Sequence, residues 1–268
     1  MIHAVLFLAT LLTTLVAGVL QLGINPLESP LSLWRGIPFS FTLIIILASH
    51  EFGHYFMAKR YAVDVTLPYF IPAPSFIGTF GAFIKMKSPI LDRRMLLDIG
   101  AAGPVAGMVV ALPVLLAGLM LSDVRPALTA TGTSLGSSLL FSLMTWIVHG
   151  SLPSEMDIVL HPIAFSGWIG LLVTCLNLLP VGQLDGGHVA YAVLGRRQRG
   201  LARVIFLILI LLGLTSWAGW LVWAVILYLM GLDHPPVVYD WIPLDRRRRI
   251  VGWAAMGIFV LTFTPAPF

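Results

Sequence analysis

The segment His50-Glu51-Phe52-Gly53-His54 sets two imidazoles four residues apart, with a carboxylate directly after the first. On a helix His50 and His54 lie one turn apart on one face, so both rings can reach one zinc ion. Glu51, three residues before His54, is close enough to that face to take a proton from a water that zinc has made more acidic. Such a pentapeptide can arise by chance in a soluble helix. Here it sits near the end of an apolar stretch, Pro38 to Ala58, that Lys59-Arg60 stops. Ionisable groups are costly in hydrocarbon, about 2.5–3.5 kcal/mol for a central charge on insertion scales, and a functional role is their default reading.

Two histidines do not complete a catalytic zinc site, which usually has three protein ligands and one open position. Two aspartates are candidates for the third. Asp98 stands at the mouth of an apolar stretch and reads as a solvated charge beside Arg93 and Arg94. Asp185 lies in NLLPVGQLDGGH, Asn177 to His188, where Pro180, Gly182, Gly186 and Gly187 interrupt a helix. Broken backbone at membrane depth is tolerated only where protein or a polar cavity surrounds it. An unpaired buried carboxylate there would be costly, which favours Asp185 as a ligand. Cys175 could bind zinc by softness but sits on the intact part of that helix, which favours packing. His188 follows the broken stretch and reads as a supporting or interfacial histidine, with donation to a tetrahedral oxyanion as the alternative. His3, His149, His161 and His234 fall at expected element boundaries and are not taken as ligands.

These residues need elements that hold them inside a membrane. Of the 268 residues, 58% are hydrophobic and 10% charged, against about a quarter charged in a soluble domain. Mean hydropathy is +0.94. A soluble globule, a disordered chain and a coiled-coil rod are excluded. One cysteine excludes a disulfide framework within the chain, and no aromatic-interleaved basic patch points to nucleic acid. Apolar stretches near the ~20 residues needed for a crossing recur: Ala4–Leu22, Pro38–Ala58, Leu96–Leu121 and Pro162 to about Leu179, the last continuing through the broken stretch to Leu194. Leu201–Met230 is long enough for two short spans, with a turn across Gly213–Gly219, and Ile250–Thr264 offers a seventh. Leu135–Val148 is short for crossing and reads as an interfacial helix. The first stretch, with no basic region before it, reads as a retained helix. The small residues of GAAGPVAG, Gly100 to Gly107, would let another helix approach closely. With this threading, 14 of the 16 basic residues fall on one side: six in Lys59–Arg94, four in Arg196–Arg203 and four in Arg246–Arg249. The positive-inside rule makes that side cytoplasmic.

HEFGH in an apolar span, then AAGPVAG, then NLLPVGQLDGG, resembles the site-2 protease family of intramembrane zinc metalloproteases. The likeness covers most of the chain. Phe70–Pro89 (FIPAPSFIGTFGAFIKMKSP) is most similar to the bacterial and plastid branch without a PDZ domain. The resemblance implies His50, His54 and Asp185 as ligands of one zinc ion, Glu51 as general base, and Asn177 as a holder of the substrate backbone; a helix–helix hydrogen bond is the other reading of Asn177.

The expected fold is an all-α polytopic membrane protein of about six to seven transmembrane helices, with a re-entrant β-hairpin loop near the active site. It is expected to form one integral membrane protease domain over 1–268, with a catalytic core of about 38–195 and C-terminal spans in 201–264. Gly78-Thr79-Phe80-Gly81 is the candidate hairpin, pairing with an unwound substrate by strand addition; a loop that only packs under the third span is the alternative. The expected partners are a transmembrane protein substrate and the lipid bilayer of the cell membrane, with no nucleic acid. A helix-binding scaffold without activity and a zinc transporter are the rival readings. The transporter is disfavoured because the outer halves of the spans carry almost no polar groups.

Overall fold

The computed structural model describes residues 1–126 and 134–268; residues 127–133 of the second long connection lie outside the described residues. In hydrocarbon a chain must satisfy its backbone groups internally, so the apolar stretches fold as helices. α1 spans Ile2–Gln21 and α2 spans Ile37–Arg60, entered through Pro38 and closed by Lys59 and Arg60. α3, Arg93–Met120, starts at Asp92, whose carboxylate accepts from the Arg94 and Met95 N–H groups. α4, Leu139–His149, is the short helix expected between the third and fourth spans. α5 (Pro162–Asn177) and α6 (Asp185–Leu194) are the two halves of the broken fourth span. α7 (Gln198–Thr215) and α8 (Gly219–Met230) form the expected helical hairpin, and α9 covers Arg246–Thr262. By length and composition, Ile2–Gln21, Pro30–Arg60, Arg93–Met120 and Asp185–Thr215 can each cross a membrane, with α4, α5 and α8 as shorter apolar helices. The chain is an all-α polytopic membrane protein. α6 and α7 are joined by a single 3-10 turn, Gly195–Arg197, where Gly195 takes φ +60°.

α3 is the centre of the bundle and packs against α2, α5 and α6. Leu43 and Leu47 of α2, Leu115 and Leu119 of α3, and Trp168 and Ile169 of α5 share one buried cluster. Lipid is as apolar as these side chains, so close approach and interhelical hydrogen bonds hold the helices together rather than the hydrophobic effect. A Cβ on Gly167 would stand 2.7 Å from Leu115 Cα. Thr14 and Ser40 hydroxyls meet at 2.7 Å, and Thr42 and Ser166 at 2.6 Å, each worth about 0.6–2 kcal/mol in a membrane.

The strands β1 (Tyr69–Pro72) and β2 (Thr79–Phe83) pair antiparallel, Tyr69 opposite Phe83 and Ile71 opposite Gly81. A hairpin is present, but its turn is not Gly78–Gly81. The connection runs over residues 73–78, and Gly81, at φ +101°, lies within β2 where the register shifts. The extra residue is a bulge, and glycine tolerates the positive φ. The hairpin lies along α1. His3 Nδ1 is 3.2 Å from Pro68 O, Thr13 Oγ1 donates to Gly78 O at 2.6 Å, and Gln21 Nε2 donates to Phe76 O at 3.0 Å. His3 to Gln21 is ~27 Å of helix at 1.5 Å per residue, close to the ~30 Å of a hydrocarbon core. The hairpin therefore reaches from one end of α1 to the other. A second pair, β3 (Asp123–Pro126) with β4 (Met156–Val159), ties the far end of α3 to the start of α5.

Asp98 corrects an expectation. It does not sit as a solvated charge beside Arg93 and Arg94. Arg248 of α9 forks onto it, Nη2 to Oδ2 at 2.8 Å and Nε to Oδ1 at 3.1 Å, and Tyr61 donates its hydroxyl to the same carboxylate. Arg93 instead pairs with Asp240 at 2.8 Å and Arg94 donates to Pro243 O. Charges at a helix mouth find partners brought there by the fold, 150 residues away in sequence.

Candidate metal and catalytic site

His50, Glu51 and His54 sit on the buried side of α2, at 3%, 6% and 7% exposure. Room for the two rings comes from α3. A Cβ on Gly103 would collide with the His54 ring, and one on Gly107 would stand 3.2 Å from His50 Nδ1. Gly100, on the same stripe, plays this part for His188. The small residues of GAAGPVAG thus make space for imidazoles as well as for a neighbouring helix. His54 Nδ1–H donates to Ile99 O at 2.8 Å. In the neutral ring this leaves a lone pair on Nε2, the arrangement a metal-ligating histidine needs.

Asp185 arrives from the opposite side of the sequence. α5 ends at Asn177, the chain turns over residues 178–184, and Asp185 opens α6. The turn is tight enough to demand its glycines. Gly182 has φ +56°, and a Cβ on Gly187 would stand 2.7 Å from the Val181 carbonyl oxygen. At the first turn of a helix the free N–H groups favour a carboxylate.

Three donor atoms converge. Asp185 Oδ2 is 3.2 Å from His50 Nε2 and 3.1 Å from His54 Nε2, and the two nitrogens are 3.2 Å apart. Four ligands at 2.0–2.1 Å around a tetrahedral ion are about 3.3 Å from one another. The triangle therefore fits one ion of zinc size, and its two-imidazole, one-carboxylate composition is a usual catalytic zinc set. Among the described residues this is the group of histidine, cysteine, aspartate and glutamate side chains placed to hold a metal.

A cavity of about 200 Å³ opens beside the triangle. Glu51 lines it, as do Asn177 and His188. Asn177 Nδ2 lies 3.1 Å from His50 Nε2. Ala82, Phe83 and Ile84 form the cavity's strand side, whereas Gly78, Thr79, Phe80 and Gly81 do not line it. Gly78 closes against α1, and Phe80 is 75% exposed. Cys175 is wholly buried away from the triangle. His3 and His149 meet backbone carbonyls, and His161 caps α5. Sequence reasoning missed the Ala82–Ile84 segment, which lies just past the candidate residues at the end of β2 and one residue beyond it, and His234.

Residues 38–214 match Peptidase family M50. The chain belongs to this family. It is 32% identical over 237 residues to the probable zinc metalloprotease EGY1, chloroplastic, of Arabidopsis thaliana, covering 85% of this chain and 43% of that protein. The probable zinc metalloprotease EGY2, chloroplastic, of the same plant is 29% identical over 240 residues, 87% of this chain and 42% of the relative. EGY1 of Oryza sativa subsp. japonica is 34% identical over 166 residues, 60% of this chain and 28% of that protein. The chain thus spans less than half the length of these curated relatives. No solved structure matches it. The matched M50 segment takes in the HEFGH helix, the glycine stripe of α3 and the LDGG turn.

Proposed function

We propose that this chain is an intramembrane zinc metalloprotease that hydrolyses peptide bonds of transmembrane proteins. The observation that carries this reading is the meeting of His50 Nε2, His54 Nε2 and Asp185 Oδ2 beside Glu51 in a cavity among apolar helices. In this reading the three side chains hold one zinc ion, which would supply an acidified water and a pull on the scissile carbonyl. Glu51 takes the water's proton and later delivers it to the leaving amine nitrogen. Asn177, with its amide at the edge of the triangle, orients the substrate backbone.

A substrate helix hides its carbonyls in its own hydrogen bonds and must unwind before it can be cut. β2 pairs with β1 on one edge only, among the described residues, and its end at Ala82 and Phe83, with Ile84 just beyond, borders the cavity. That edge supports strand addition by the unwound segment, with Gly78–Gly81 guiding it further from the metal. The basic bias supports a cytoplasmic opening in the cell membrane.

The test is cleavage by wild type and Glu51→Gln in detergent, with bound zinc measured in both. We expect Glu51→Gln to keep zinc and lose activity by about 10²–10⁴-fold, the usual share of a general base. Turnover by Glu51→Gln near the wild-type rate would refute the base assignment. A zinc-loaded wild type that cleaves no membrane peptide would favour the scaffold.

A further inference from the structure

The family match ends at residue 214, yet a residue beyond it reaches the wall of the cavity. His234, in the connection between α8 and α9, is 4% exposed. Its ring stacks on Tyr191 of α6, with centroids 4.6 Å apart. Its backbone N–H donates to Gln198 Oε1 at 3.3 Å, and Gln198 Nε2 donates to Pro180 O at 3.2 Å. Both ring nitrogens are engaged. Nδ1 is 2.6 Å from the Pro235 carbonyl oxygen, which can only accept, so Nδ1 carries the proton. Nε2 of the neutral ring then offers a lone pair, and it lies 2.7 Å from Nδ1 of His188. His188 must donate from Nδ1, which leaves its own Nε2 as an acceptor.

His188 stands one turn after Asp185 on α6 and lines the cavity that holds Glu51 and the donor triangle. Gly100 fixes how near its ring comes to α3, for a Cβ there would be 2.9 Å from His188 Cβ. Among the described residues, His188 Nε2 has no hydrogen-bond partner. An acceptor held in one tautomer on a cavity wall calls for a donor from whatever fills the cavity. A peptide segment added to β2 has its other edge unpaired, and N–H groups on that edge need acceptors in hydrocarbon.

We infer that His188 Nε2 is a fixed acceptor for a backbone N–H of the bound substrate peptide, and that His234 is the positioning residue that sets its tautomer. The nature of the ligand rests on the proposed peptidase reading. The experiment separates the two by measuring binding to the zinc-loaded full chain in a Glu51→Gln background, which needs no cleavage. The probe is a dye-labelled apolar peptide of roughly 20 residues with a central Gly-Pro break. Expected is a loss of about three- to tenfold in affinity for His188→Phe, the range of one net hydrogen bond. His234→Phe keeps the stack on Tyr191 but not the acceptor, and should lose as much. The two together should lose no more than either alone, and zinc content should stay unchanged. His234→Gln should restore binding, because Gln can present an acceptor oxygen where Nε2 stood. Among probes N-methylated at successive backbone nitrogens, one should lose affinity for the parent and not for His188→Phe. Nitrogen-15 NMR of ring-labelled histidine should show His188 as the Nδ1–H form in the parent and a mixture in His234→Phe.

The inference is overturned by an Nε2–H form of His188 in the parent, by unchanged affinity in His234→Phe, or by an N-methyl series that no longer distinguishes parent from His188→Phe. Wild type that binds this peptide in these ways but cuts no membrane peptide would refute the peptidase reading and leave the acceptor standing.

Discussion

Gly103→Ala tests the donor triangle without touching any of its members. Gly103 lies on α3 where a Cβ would overlap the His54 ring, reaching 2.6 Å from Cε1 and closer still to Nε2 and Cδ2. Ordinary carbon contacts begin near ~3.5 Å, so the ring must retreat by at least about 1 Å. Neither neighbour yields easily. A Cβ on Gly53 would already stand 2.5 Å from the Ala102 carbonyl oxygen, so α2 and α3 are in close contact at this level. Metal–ligand distances tolerate about 0.2 Å. A 1 Å retreat therefore breaks the bond from His54 Nε2 and also strains the Nδ1–H bond to Ile99 O. Losing a supporting partner costs 10–100-fold in metal affinity; displacing a ligand should cost at least about 100-fold. The assay is zinc content of purified protein after dialysis against graded chelator, with circular dichroism to verify the helices. Gly257→Ala, where nothing stands within 4 Å of the new Cβ, is the control and should keep its zinc. Wild-type zinc affinity in a folded Gly103→Ala protein would refute the account of α3 as the wall that positions His54.

Asp185→Ala should lose zinc, whereas Asp98→Asn should keep it and instead lower thermal stability by about 1–3 kcal/mol, because a forked, charge-assisted contact to Arg248 is lost; equal zinc retention by both would remove Asp185 from the ligand set. Asp245 caps α9, and its bonds to the Arg248 N–H and guanidinium hold its carboxyl at about 2. A lowered folded-state value gives stability that is present above the unfolded value of about 3.9 and lost as pH falls towards 2. The melting temperature should therefore drop over that window, and Asp245→Asn should flatten the part of the drop that this group causes. Single cysteines at Lys87 and Pro126 in a Cys175→Ser background report the two sides; an impermeant thiol reagent on intact cells should label 126 and miss 87, and the reverse pattern would overturn the orientation.

Much of the site was legible because its parts are local. HEFGH fixes two imidazoles and a carboxylate on one turn of α2 by helical geometry alone, and the glycines and proline around Asp185 announce a broken helix before any fold is known. The spans were readable for the same reason, since hydrocarbon leaves an apolar stretch little choice but helix. The hairpin was legible as a hairpin and not in its register. Gly78 and Gly81 both signal positive φ, but which one turns the chain depends on α1, whose Thr13 holds the Gly78 carbonyl. That contact spans 65 residues and leaves no mark in local sequence.

Only the tertiary structure decided where the long-range partners fall. Asp98 found Arg248 rather than its sequence neighbours, and His234, an unremarkable boundary histidine by its context, became the partner of His188 across 46 residues. The stripe of Gly100, Gly103 and Gly107 could be read as a surface for close approach, but not as the recess for three imidazoles. The physical reason is one of range. Secondary structure and motif chemistry depend on residues within a turn or two of one another, which the sequence lists in order. Tautomers, ion pairs and the filling of a recess depend on which atoms the packed helices bring within about 3 Å, the range of a hydrogen bond.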